Sequence, residues 1–409
     1  MPRERDVAVT GIGLLTPGGH GVEETWKAVC QGRSLARTDP ELAGLPVDFA
    51  CRVDGFEPDA VYGRRLARRL DRYAHLALVT ARRAAADAGL EPGGPRADRI
   101  GVVLGSGCNS LDTYAREFAA LAQDRPLAVS PTALPRSVPN MVAGEVALDL
   151  GARGPNFTVA SACASGATAI GVAREMLLSG ACDIVLTGGG ESGRSRMAAA
   201  CFAQLQALSR RTGDPAAAMR PFDTGRDGFV LSEGAAVLVL ERPEHARRRG
   251  ARVRAVLRGF GAGADAHHPV APHPAGEGAE RAARAALADA GCAVGDVGHV
   301  NAHGTSTPAG DTAEALALLR LFHGSPPPVT ATKSVLGHAM GASAAVEAAL
   351  TVLSLERQTV PPTANTRRQE EGRELDLVTV RPRPVAFDVA LSNSFGFGGQ
   401  NAVLVLAAP

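Results

Sequence analysis

Aromatic residues are scarce in this sequence: they make up 4% of its 409 residues, and Trp26 is the single tryptophan. That is too few for a surface on which nucleic-acid bases stack. Excess charge is missing too. Lys and Arg total 43 against 42 Asp and Glu, a formal net charge of +1, so no bulk field argues for a nucleic-acid or membrane partner. The seven cysteines (Cys30, Cys51, Cys108, Cys163, Cys182, Cys201 and Cys292) are scattered, and no two form a C-x-x-C pair. This excludes the usual zinc and thioredoxin-like spacings. No apolar run reaches membrane-spanning length, and Met1 to Asp6 leads straight into a strand-like segment without the pattern of a signal peptide. A cytoplasmic protein with free thiols is expected. What is present is the balance of a globular enzyme, 45% hydrophobic and 21% charged. The length suits two to three domains and a core that needs no disulfide or metal.

Strand-like segments at Val7–Gly11, Arg99–Gly105 and Cys182–Gly188 alternate with helical ones at Leu66–Gly89, Ser165–Ser179, Glu280–Gly291 and Asp311–Phe322. Such alternation predicts an α/β fold with a mostly buried sheet. The chain also resembles itself. Cys163-Ala-Ser-Gly166-Ala167 opens one predicted helix and His338-Ala-Met-Gly341-Ala342 another, each after a strand-like segment, Phe157–Ala160 or Val329–Thr332. Val237–Leu240 matches Val403–Leu406, and Phe229 matches Phe395. A duplicated unit explains the pattern, with halves at residues 1–250 and 251–409.

Ligands of open α/β sheets sit at the carboxyl ends of strands, and there the chemistry gathers. Small residues around Cys163 permit a tight elbow before a helix, whose N-terminal N–H groups and dipole favour a thiolate. The other cysteines, Cys108 apart, are read as inert. Asn301-Ala-His303-Gly-Thr305-Ser-Thr307 follows an apolar strand end. Lys333-Ser-Val-Leu-Gly-His338 sets a second histidine at an expected helix start, where backbone N–H groups would keep it neutral. Asp311 and Glu314 share one helix face, as a functional pair or a solvated one. Metal binding by the two histidines is disfavoured, because no third histidine or carboxylate follows zinc spacing. Asn393-Ser-Phe395-Gly-Phe397-Gly398-Gly399-Gln-Asn401 is either a glycine-rich hairpin or a gate with an oxyanion donor.

Taken together, Ser161-Ala-Cys163-Ala-Ser-Gly166, Asn301 to Thr307, Lys333 to His338 and Asn393 to Gly399 resemble the four signatures of the β-ketoacyl-[acyl carrier protein] synthases, in particular the elongating Cys-His-His type. Val138–Gly144, Arg220–Asp223 and Arg226–Leu231 extend the likeness over the whole chain. The resemblance implies the thiolase fold, with duplicated βαβαβαββ halves in a five-layer αβαβα core, usually dimeric. It implies a decarboxylative Claisen condensation of an acyl group on Cys163 with malonyl-carrier protein. The oxyanion would lie against the N–H groups of Cys163 and Phe397, and His303 and His338 would hold the malonyl thioester. Lys333, paired with Glu347, would organise the histidines. Phe395, Phe397, Gly398 and Gly399 would form the gate, and Thr305 and Thr307 would line the malonyl side. Cys108 and Phe202 fall at the acyl pocket, and Asp265 and His268 in a second gating loop.

The implied partner is an acyl carrier protein, docked on Arg65, Arg68 and Arg69 of a basic helix that also bears Arg72. Its phosphopantetheine arm delivers the substrates, so no cofactor and no metal is expected. The dimer would be a homodimer, or a heterodimer with a ketosynthase-like chain-length subunit. Some positions depart from the family pattern: Pro269-Val270 replaces a Met-Thr pair, Gln206 stands where a basic residue is common, and Cys108-Asn109 replaces a bulkier apolar residue and glycine. These departures favour a type II polyketide or specialised fatty-acid pathway over housekeeping elongation. A thiolase would need a late second cysteine, and the last one here is Cys292. A non-catalytic chain-length partner would lack Cys163, and a non-decarboxylating acyltransferase would not need both histidines.

Overall fold

The computed structural model describes residues 5–91, 93–94, 96–108 and 110–409, so Asn109 lies outside the described residues. Among the described residues a ten-stranded sheet dominates, and five of its strands come from the first half of the chain: β1 (Val7–Leu15), β2 (Ile100–Gly105), β3 (Asn156–Val159), β4 (Ile184–Ser192) and β5 (Glu233–Glu241). Five come from the second: β6 (Ala255–Ala264), β7 (His299–Asn301), β8 (Val329–Thr330), β9 (Val389–Gly396) and β10 (Gln400–Ala407). Their order is β8-β7-β9-β10-β6-β1-β5-β4-β2-β3. Read outward from the centre, each half repeats the same succession. β1 and β6 correspond, as do β5 and β10, β4 and β9, β2 and β7, β3 and β8. The pairings match as well: β4 with β5 and β9 with β10 are antiparallel, whereas β2 with β4 and β7 with β9 are parallel. The halves join where Val7–Val9 runs antiparallel to Ala255–Leu257.

Helices complete the layers. α1 (Arg72–Asp87) covers β1, β4 and β5 with α2 (Met141–Leu150) beside it; α4 (Glu277–Ala290) covers β6 and β10 with α5 (Pro308–Leu321) beside it. α3 (Ser165–Leu178) and α6 (Ser343–Arg357) pack on each other in the middle, against strands of both halves. This is the five-layer thiolase fold. Strands buried on both faces read as unbroken apolar runs, and β1 and β5 are buried at every residue. α6 is buried from Ser343 through Leu355, as expected of a helix apolar on all sides. The two central helices touch because Gly166 has no side chain: a Cβ there would lie 2.7 Å from the Ala345 nitrogen.

Two expectations about elements need correction. Leu66–Gly89 is not one helix. A first helix ends at Ala67, and Asp71 takes an extended conformation (φ −93°, ψ 167°) before α1 begins. The break turns Leu70 inward to 5% exposure. Arg72 is drawn inward with it, onto the Glu233 carboxylate at 2.9 and 3.0 Å. The basic run therefore does not share a solvated face with Arg72. Nor does His338 open a helix: it follows the single turn Lys333–Leu336 and Gly337, and α6 starts only at Ser343.

Candidate active site

Cys163 sits just before α3, on the elbow that its small neighbours allow. Ala162 takes a left-handed φ of 48°, and the glycine-rich turn after β9 closes over it. Gly396 makes that approach possible, since a Cβ there would meet the Ser161 oxygen at 2.7 Å and the Cys163 nitrogen at 3.1 Å. The backbone N–H groups of Phe397 and of Cys163 itself act on the sulfur as donors that favour its thiolate. These donors and the Lys333 charge pull its pKa down, but burial outweighs them and pushes the thiol up to about 11. The elbow N–H groups thus act in the expected direction, toward thiolate, but burial works against them and is the larger effect.

His338 Nε2 lies 3.1 Å from Cys163 Sγ, and the His303 ring stands edge-on to His338 with centroids 5.7 Å apart. Both pKa values fall well below 6.5, first through burial and then through the Lys333 charge. His338 is neutral, as expected, but for a reason other than a helix terminus. Lys333 stands behind the pair. Its Nζ donates to the His303 carbonyl (2.7 Å) and approaches His303 Nδ1 (3.3 Å), and it reaches both Glu347 oxygens at 2.6 Å. Burial raises the Glu347 carboxyl to about 7 despite the ammonium.

The i, i+3 pair on α5 is not a solvated pair, because both carboxyls are buried. Glu314 accepts from the N–H groups of His303 and Gly304, each at 2.8 Å, and from Asn393 at 3.1 Å. Asp311 accepts from Phe222 N–H (2.7 Å) and Ser306 N–H (2.9 Å). Burial pushes Asp311 up to about 7. The two acids thus fix the His303 loop through its backbone N–H groups.

Cys163, His303 and His338 line one cavity together with Cys108, Phe202, Asp265, Thr305, Thr307, Glu314, Phe395 and Phe397. Lys333, Glu347 and Asp311 are outside its lining, as are Gly398, Gly399 and His268. The Gly398 N–H is taken by the Pro269 carbonyl at 2.7 Å, so it is no oxyanion donor here. His268 is exposed and spends Nδ1 on the N–H groups of Val270 and Ala271. Asp265 binds the two loops together, accepting from Asn401 at 2.7 Å and from His273 N–H at 2.9 Å. Arg65, Arg68 and Arg69 lie on the outer surface, with Arg69 bonded to the buried Glu145 carboxylate. Among the described residues, no group of three or more His, Cys, Asp or Glu is arranged to hold a metal ion.

Sequence reasoning missed three residues. Phe229 stands edge-on to His338 at 5.3 Å, as its repeat counterpart Phe395 does to His303 at 5.6 Å; the internal repeat carried that signal. Buried Glu191 accepts from the N–H groups of Gly107 (2.5 Å) and Cys108 (2.8 Å). Ser343 meets His338 Nδ1 at 2.9 Å. Nothing in the spacing marks the last two.

The chain matches the N-terminal domain of the β-ketoacyl synthases over residues 4–246 and their C-terminal domain over residues 254–367. It is 42% identical to a 3-oxoacyl-[acyl-carrier-protein] synthase 2 of Vibrio harveyi, over 98% of both chains. Among solved structures it resembles the ishigamide ketosynthase/chain length factor (TM-score 0.92, 34% identity, 99% of both chains). It also resembles a type II polyketide ketosynthase solved with its acyl-carrier protein and bound to the hexaketide (TM-score 0.92, 29% identity, 100% of both chains).

Proposed function

The chain belongs to the β-ketoacyl synthase family, and from that premise we propose how its own residues carry the reaction and in what setting. The reaction is that of a 3-oxoacyl-[acyl-carrier-protein] synthase, an acyltransferase that condenses an acyl thioester with malonyl-carrier protein and releases carbon dioxide. The observation that carries the assignment of roles is Cys163 Sγ at 3.1 Å from His338 Nε2, with His303 against the same histidine in one cavity.

Cys163 attacks the acyl thioester carbonyl, and the N–H groups of Cys163 and Phe397 hold the oxyanion. The C–S bond to the carrier breaks, and the carrier's sulfur leaves with the proton from Cys163. Malonyl-carrier protein enters next. His303 and His338, both neutral, donate to its thioester carbonyl, so the enolate left by departing carbon dioxide is stabilised without being protonated. Its carbon attacks the acyl carbonyl, the bond to Cys163 breaks, the released sulfur takes up a proton from solvent, and the β-ketoacyl chain stays on the carrier. Lys333 with Glu347 positions His303, and Glu314 with Asp311 fixes its loop. Phe395 and Phe397 gate the cavity, with Gly398 and Gly399 as the pivot and Asp265 as the link to the loop that bears His268. Thr305 and Thr307 face the malonyl unit, while Cys108 and Phe202 face the acyl chain. No cofactor enters any step.

The wider setting follows from the surface. Arg65 and Arg68 are free to meet an acidic carrier protein, and Arg69 contributes less because Glu145 holds it. The exposed edge strand β3, with Phe157 at 37% and nearby Leu148 at 69% exposure, suits a dimer, with a second copy or with a chain-length subunit. The Cys108 and Pro269-Val270 departures favour a type II polyketide or specialised fatty-acid role. Seven unpaired cysteines suit the cytoplasm, and no helix among the described residues is long and apolar enough to cross a membrane. We place the boundary of the halves at residues 250 and 251, the first half supplying the nucleophile and the second the histidines. Cys163→Gln tests the roles: condensation is abolished while malonyl-carrier protein still loses carbon dioxide. Condensation retained by this variant would overturn the nucleophile assignment.

A further inference from the structure

Two residues after Gly341, the helix that follows His338 begins with Ser343, a buried hydroxyl of 4% exposure with two hydrogen-bond partners. The Ala339 N–H donates to Ser343 Oγ at 2.8 Å, and His338 Nδ1 lies 2.9 Å from the same oxygen. An amide N–H only donates, so that bond uses one lone pair of the hydroxyl and leaves its proton to be placed. Among the described residues the ring nitrogen is the one remaining partner. Were Nδ1 also a donor, the hydroxyl proton would be buried without an acceptor, an unfavourable arrangement.

The proton on Ser343 therefore points at Nδ1, and the imidazole carries its own proton on Nε2, the nitrogen facing Cys163 at 3.1 Å. His303 reaches the same tautomer by another route, since the Lys333 ammonium can only donate to its Nδ1. The backbone of His338 is clamped independently: its N–H donates to the Val230 carbonyl at 2.8 Å, and its own carbonyl accepts from Ser232 N–H at 3.1 Å. Phe229 packs against the ring edge-on. Backbone and ring plane are thus held from one side, and the proton from the other.

We propose that Ser343 is a positioning residue that locks His338 as an Nε2–H donor, doing for this histidine what Lys333 does for His303. The inference rests on the reading of both histidines as donors to the malonyl thioester. Nitrogen NMR of the enzyme labelled on histidine, with His338 assigned by comparison with His338→Ala, reads the tautomer directly. Nδ1 is expected bare and hydrogen-bonded in the native protein. A proton on Nδ1 would overturn the proposal with no variant needed.

Ser343→Ala leaves Cys163 and both histidines in place, so Cys163 is still acylated. Malonyl decarboxylation is expected to lose kcat by about tenfold, less than the roughly 10²–10⁴-fold that a positioned proton donor contributes, because His338 itself remains. KM should stay unchanged, and the His338 nitrogen signals should shift. An unchanged kcat in Ser343→Ala would overturn the positioning role. Absence of decarboxylation in the native enzyme would instead overturn the donor reading on which it rests.

Discussion

Cys163 is pulled two ways. Two N–H donors and a nearby ammonium favour its thiolate, and burial opposes it more strongly, leaving the thiol near 11. At neutral pH almost all of it is protonated, so alkylation by iodoacetamide should speed up about tenfold per pH unit from pH 7 toward pH 10. A plateau near pH 7 would mean that the elbow donors prevail. The histidines show the converse sign. Their neutral forms are favoured by burial, so their protonation is displaced well below 6.5. Decarboxylation by Cys163→Gln should therefore hold its rate as pH falls through 6.5, whereas a loss centred there would indicate solvated rings. The residue types were legible in the sequence, because strand ends and small-residue elbows mark where such side chains gather. The neutral state of His338 was legible too, but its cause was not, since burial and the Lys333 charge come from distant segments that reach the histidines only through the fold.

At the scale of elements, close contact between α3 and α6 holds the two halves of the site in register. Cys163 precedes one helix and His338 the other, and Gly166 is where they touch. Gly166→Ala forces the helices apart and should destabilise the protein by about 1–3 kcal/mol, the usual cost of overpacking a core. It should also slow condensation more than malonyl decarboxylation, because Cys163 moves relative to both histidines while the histidines stay together. Thermal unfolding with the two assays run in parallel checks this, and equal losses would contradict it. Periodicity and alternation made the helices and buried strands readable, as with Ser165–Leu178 and Ile100–Gly105. Two boundaries failed for a shared reason. The break at Arg68–Asp71 and the late start of α6 answer to tertiary demands, Leu70 turning into the core and His338 clamped to Val230 and Ser232, which local propensity does not encode.

For the whole molecule, the internal repeat seen in short matching motifs is a real duplication of topology, yet its two outer edges differ. β8 is buried, whereas β3 is exposed, and Phe118, Leu121, Leu127 and Leu134 are exposed as well. A free edge with apolar surroundings invites pairing. Phe157→Asp combined with Leu148→Asp should yield a monomer in analytical ultracentrifugation while the native protein sediments as a dimer. A native monomer would contradict the interface. Sequence alone could not locate this surface, because an exposed apolar residue and a buried one look alike until the fold separates them.

The central claim is that acyl transfer passes through Cys163 before carbon–carbon bond formation. Intact-protein mass spectrometry tests it most directly, with a series of acyl-carrier proteins added first and malonyl-carrier protein second. The expected result is an acyl mass on Cys163 that disappears on malonyl addition as a β-ketoacyl-carrier protein forms. Condensed product without any acyl mass on Cys163, or an acyl mass that persists in Cys163→Gln, would contradict it.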